Sequence, residues 1–222
     1  ARFYNVASPT PIANYNKNLV PGIGVPGADA LFTSGIKGDG FYAELATGRI
    51  PATTSQELQN YLDKLVTYEL GSDSIEGWRK NILHVSGGTD ANQQATFKAV
   101  LGYNAGVIAG QQLGAKVTSY NKTTNSPTQA DLRDKLIAAQ NRGVNLLSFF
   151  GHASLTILDV DIGTVGELSN QGKYPLYYFS GCNVGNATEV DIETRDGINA
   201  KDYICSANKG AIGWLAHSNF TF

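Results

Sequence analysis

Methionine is absent from all 222 residues, so Ala1 reads as the start of a processed chain or an excised piece. Cysteine is scarce too. Cys182 and Cys205 are the only two, which makes neither the disulfide framework of a small secreted domain nor a four-ligand zinc pattern. A His/Cys zinc site from Cys182, Cys205 and His217 lacks the tight ligand pairs of zinc sites. A single Cys182–Cys205 bridge stays open as a reading and would silence Cys182. In its apolar setting of Tyr203-Ile204-Cys205-Ser206, Cys205 reads as a small buried hydrophobe. Charge is low, with 16% charged residues and a formal net charge of −2. Lys and Arg are scattered singly, so no basic face for nucleic acid is expected. No apolar run is long enough to span a bilayer, and no secretory signal stands at Ala1. There is no internal repeat and no low-complexity tract.

What is abundant is Gly (25 residues) and Tyr (11), with many Asn. That polar, loop-rich composition suits an extracellular or envelope protein. The length allows one domain with a real core, or one domain behind a small leading piece.

Residues 1–40 show little periodicity and read as loops with one short strand at most. Gly22-Ile23-Gly24-Val25-Pro26-Gly27 matches a dinucleotide fingerprint by letter. Pro21 and Pro26 deny it the strand before and the helix after that the motif requires, so it is read as a loop. Phe41–Ile50 is strand-like and is closed by Pro51. Thr53, Thr54 or Ser55 can then cap a helix over Gln56–Leu70, whose Leu58, Tyr61, Leu62, Leu65 and Val66 keep the spacing of one buried face.

From Asn81 the alternation is regular. Asn81–Ser86 reads as a strand ending at Gly87-Gly88, and Asp90 or Thr89 caps a helix over about Ala91–Leu113. Ala115–Tyr120 is the next strand, and Thr128 caps a helix over Gln129–Arg142. Val144–Phe150 and Pro175–Ser180 are short apolar runs bounded by breakers, the habit of strands buried on both faces. A helix near Thr164–Asn170 separates them. After Cys182 come a long polar loop with room for a helix and a last strand at Gly210–Ala216. This order predicts an α/β fold: a doubly wound, mostly parallel sheet with helices on both faces. The division expected is a loop-rich leading segment over 1–75 and a sheet domain over 76–222. The last strand has no covering helix after it, so the sheet domain reads as truncated.

The chemistry sits where two of these strands end. Gly151-His152 follows one and Gly181-Cys182 the other, and open α/β sheets place ligands and reactions at the carboxyl ends of their strands. Neighbouring strands lie about 4.8 Å apart, so an imidazole and a thiol on adjacent ends can reach one substrate. An imidazole can raise the thiolate fraction of a cysteine and then protonate a leaving amine. Gly151 and Gly181 are read as turn formers that let the N–H groups of Ala153 and Cys182 face an oxyanion. Reaction at a peptide carbonyl is the natural use of this set. His84, in mid-strand, reads as a core residue. His217, after the last strand, could line the same rim or stand on the surface. Asp159 and Asp161 are candidates for a substrate pocket or for holding calcium, with solvated loop carboxylates as the plainer alternative.

Glu44-Leu45-Ala46-Thr47-Gly48-Arg49-Ile50-Pro51, followed by a helix ending in Tyr68-Glu69, resembles the corresponding stretch of the gingipain-type cysteine peptidases. So do Gly151-His152, Ser180-Gly181-Cys182 with Gly185, and the Gly210-Ala211-Ile212 strand. The pieces keep the family's order from about residue 39 to 217. The resemblance implies a caspase-like fold, His152 as base and Cys182 as nucleophile, and no required cofactor. It also implies a protein or peptide substrate and a secreted or bacterial surface location. Family members include secreted proteases and the sortase of the type IX secretion system, which adds transpeptidation at C-terminal signals as an alternative to hydrolysis. Two departures stand out. Where the family has a glutamate after the first strand, thought to orient the histidine, this chain has Ser86, and Ala153 replaces a glycine after the histidine. No acid stands where an arginine-binding pocket would need one. The missing glutamate favours a rival reading, a peptidase fold kept as a non-catalytic binding module.

Overall fold

A computed structural model describes residues 28–38, 40, 42–71, 77–186 and 197–220. The apolar runs become five parallel strands: β1 (Asn81–Ser86), β2 (Lys116–Asn121), β3 (Leu146–Phe150), β4 (Leu176–Ser180) and β5 (Gly213–Ala216). They lie in the order β2-β1-β3-β4-β5. The helices are α1 (Ser55–Leu70), α2 (Ala91–Ala109), α3 (Arg133–Arg142) and α4 (Ala200–Cys205).

The sheet is covered on both faces. Val85, Leu147, Phe149, Tyr177 and Phe179 point to one side. They pack under Leu136 and Ala139 of α3 and Tyr203 and Ile204 of α4. On the other side α2 crosses β1 and β2, and its Phe97 stacks on Phe150 with ring centroids 4.4 Å apart. The first side is rich in aromatics: Phe179 and Trp214 meet edge-on at 4.7 Å, and Tyr177 meets Tyr203 at 5.3 Å. Burying each such side chain stabilises the fold by roughly 2–3 kcal/mol. Their hydroxyls are satisfied, Tyr177 donating to Gln140 and Tyr203 to the carbonyl of Gly163.

Local chemistry explains the helix starts. Thr54 and Glu57 form a reciprocal capping box at α1, and the Asp90 carboxylate accepts from Asn92 and Gln93 N–H at α2. Inside the fold α1 packs against α4. There the Lys64 ammonium donates to the carbonyls of Tyr203, Lys209 and Ala211 at 2.9–3.1 Å.

Several expected bounds move. α3 begins at Arg133, not at Gln129, because the Thr128 hydroxyl donates to Leu158 O. Gln129 meanwhile forms a bridge with Val160. The helix expected at 164–170 is one 3-10 turn over Val165–Glu167. α2 stops at Ala109, with Gly110 as its cap. Among its described residues, the strand-like 41–50 stretch contributes one isolated antiparallel bridge, Ala43 to Ser34. β5 starts at Gly213, after Gly210 at φ +89°, where a Cβ would stand 2.1 Å from the Tyr203 carbonyl oxygen. The Gly22–Gly27 stretch and the polar loop over 187–196 lie outside the described residues. Among the described residues no helix is long and apolar enough to cross a membrane.

Candidate active site

β3 and β4 are neighbours in register, with Leu146 opposite Leu176 and Phe150 opposite Ser180. Both strands therefore end level, and His152 and Cys182 each lie two residues beyond the last pair. The ladder continues past the strands: Gly151 N–H donates to Ser180 O, and Gly87 N–H to Phe150 O. Three strand ends are thus knitted into one rim.

Gly151 and Gly181 stand at bends in the chain, without left-handed backbone. They are needed for close approach. A Cβ on Gly181 would stand 2.7 Å from the Ala153 Cβ, and one on Gly151 would stand 2.6 Å from Asp159 Oδ1. The left-handed residue is Asn183 (φ 59°), directly after Cys182. Its loop is strapped to the segment after β5, with Asn183 N–H on Asn219 O at 3.0 Å and Gly185 N–H on His217 O at 2.9 Å.

Neither cysteine is in a disulfide and both are buried, so the bridge left open by the sequence is not formed. Cys205 belongs to the core cluster, and burial pushes its thiol up to about 11. His84 is buried in mid-strand, and desolvation pushes its imidazole down.

His152 is reached from α2. Its Nε2 is 2.7 Å from Gln93 Oε1, and Phe97 stands edge-on to the ring, with centroids 6.0 Å apart. Gln93 was not singled out in the sequence. The available signal was its position in the first turn of the helix that follows β1, the strand beside β3. Ser86 does not substitute for an acidic orienter, since its hydroxyl donates to Asn121 Oδ1.

The other site candidates are separated. Asp159 is buried under the glycines: its Oδ2 accepts from Gly88 N–H at 2.7 Å and lies 3.7 Å from the buried Lys122 ammonium. Asp161 accepts from Arg133 Nε at 2.9 Å and from Gly163 N–H at 2.8 Å. It lines a cavity of about 160 Å³ with Thr156, Ile157 and Arg133. Arg133 also pairs with Glu167, and this guanidinium holds the Glu167 carboxyl down to about 2. His217 is exposed on a different cavity, of about 790 Å³, between β5, α1 and the Asp29–Arg49 ion pair. Among the described residues no three His, Cys, Asp or Glu gather as a metal site. Asp159 and Asp161 already hold cationic partners, Lys122 and Arg133, and do not fit a calcium ion.

The sequence profile of peptidase family C25 matches residues 9–222. The chain belongs to peptidase family C25. No curated protein matches its sequence. Among solved structures, the Arg-specific cysteine proteinase gingipain R superposes with a TM-score of 0.68 at 20% identity, covering 91% of this chain and 47% of that one. The complex of the pro- and mature domains of RgpB from Porphyromonas gingivalis gives 0.69 at 21% identity, with 92% and 47% covered. The C25 chain thus spans about half the length of these structures and shares their caspase-like α/β fold.

Proposed function

We propose that this chain carries the reactive centre of a cysteine endopeptidase acting on extracellular or surface proteins. The observation that carries the reading is the level termination of β3 and β4, which brings a histidine and a cysteine to one rim. Cys182 Sγ attacks the peptide carbonyl as His152 accepts the thiol proton. The N–H groups of Ala153 and Cys182 hold the oxyanion, and the imidazolium returns the proton to the departing amine. Water then cleaves the thioester. In the sortase variant a second amine does so instead, and adding a nucleophilic peptide separates the two by the product formed. Family membership and the two dyad residue types support this reading.

Iodoacetamide labelling at neutral pH tests it. Cys182 should alkylate faster than a free thiol, and His152→Ala should abolish the excess. A rate no faster than a free thiol overturns the activated nucleophile. The neutral Gln93 partner of His152 favours one rival, the non-catalytic binding module. Turnover of a peptide library by the parent protein, with Cys182→Ala as control, decides between them.

A further inference from the structure

We infer that Gln93 is a positioning residue that fixes His152 in the Nε2–H tautomer and so makes Nδ1 the base nitrogen. The role as a base rests on the proposed dyad; the tautomer does not.

The argument starts from the amide. Its orientation is set independently of His152, because Oε1 accepts from Thr89 N–H at 3.1 Å and from the Thr89 hydroxyl at 3.0 Å. A backbone N–H can only donate. Turning the amide over would set its NH2 against that N–H, so the atom facing Thr89 is the carbonyl oxygen. The same oxygen lies 2.7 Å from His152 Nε2. A carbonyl oxygen has no proton to give, so Nε2 must carry one. In the neutral ring Nδ1 then holds the lone pair.

The arrangement is braced on each side. Asp90 caps the N–H groups of Asn92 and Gln93, which anchors the first turn of α2. Phe97 stands one turn further along the same helix face, where i and i+4 side chains are neighbours, and packs on both Phe150 and the imidazole. Asp159 ties the two backbones together, donating its N–H to His152 O at 2.9 Å while its carboxylate accepts from Gly88 N–H.

An amide orients the ring without adding charge. It continues to accept from Nε2–H when the ring is protonated, but it supports the imidazolium less than a carboxylate would. The device therefore keeps a defined neutral base and only modestly favours a thiolate–imidazolium pair.

Nitrogen-15 NMR of the histidine rings tests this, with His152 assigned by His152→Ala. The expected wild-type result is a protonated Nε2 and an unprotonated Nδ1 at a pH where the ring is neutral, with mixed tautomers in Gln93→Ala. Gln93→Glu, which keeps the acceptor oxygen, should restore the single tautomer. In the same variants, Cys182 alkylation at neutral pH should fall about tenfold in Gln93→Ala, the loss of one hydrogen bond to a group that becomes charged, and recover in Gln93→Glu. A wild-type Nδ1–H tautomer, or a tautomer unchanged in Gln93→Ala, overturns the inference. Slow wild-type alkylation with the predicted tautomer overturns the dyad and leaves the positioning intact.

Discussion

Cys182 and Cys205 are both buried and neither is in a disulfide, yet the regions around them differ in kind. Cys205 closes α4 inside an apolar cluster, where burial pushes its thiol up. Cys182 stands past the end of a strand between Gly181, which admits no Cβ, and Asn183, held at positive φ. Polar groups differ likewise. Beside Cys205, Lys64 has three carbonyl acceptors. Near the His152 loop, Asp159 Oδ1 is buried with no hydrogen-bond partner while crowding Gly87 and Gly151. One region gives its buried ammonium three acceptors. The other holds crowded glycines and an underused carboxylate, the expected mark of a rim shaped for chemistry rather than stability.

The largest expected effect is kinetic. At pH 7 a thiol pushed up to about 11 is almost wholly protonated, so Cys182 should alkylate at least about a hundredfold faster than Cys205. Mass spectrometry of the labelled chain reads both sites at once. Equal rates would erase the comparison. Next comes Asp159→Ala, which strands the Lys122 ammonium in the interior. Stripping one member of a buried pair costs about 3–5 kcal/mol, and the denaturant midpoint should fall accordingly. A fall of only a few tenths would mean the pair contributes little. Gly151→Ala is smaller: its Cβ would meet Asp159 Oδ1 at 2.6 Å and Phe149 Cζ at 2.7 Å, and overpacking of this kind costs roughly 1–3 kcal/mol. Gly102→Ala in α2 meets nothing within 4 Å. It should stabilise by about 0.5–1 kcal/mol, which makes it the control for thermal melts.

Much of this frame was legible in the residues. The runs Val144–Phe150 and Pro175–Ser180 announced buried strands, and their breakers placed His152 and Cys182 at strand ends. Thr54 was one of three adjacent residues read as a cap for α1, and it is the one that caps. What stayed hidden depended on contacts distant in sequence. Gln93 and His152 are 59 residues apart, and nothing local says which residue of the first turn of α2 faces the end of β3. Asp159 looks like a solvated loop acid until Lys122 folds against it. Thr128 looks like a cap until the loop after His152 takes its hydroxyl.

The mildest test concerns pH and sets the two buried groups of the quieter region against each other. Burial pushes Lys64 down from 10.5 to about 8, so between those values the unfolded chain holds a proton that the folded chain has released. Unfolding then takes up protons, and stability rises with pH from about 8, by at most about 1.4 kcal/mol per unit. Cys205 has the opposite sign. It is pushed up from 9 to about 11, so above pH 9 the unfolded chain has released a proton that the folded chain keeps, and stability falls. The window from pH 8 to 9 therefore isolates Lys64. Urea melts there should show stability increasing with pH in the wild-type chain and a flat response in Lys64→Met, whose loss of three carbonyl contacts lowers the midpoint at every pH. A wild-type slope of zero would mean that the three carbonyls offset the desolvation of the ammonium, and that this region is better satisfied than its burial implies.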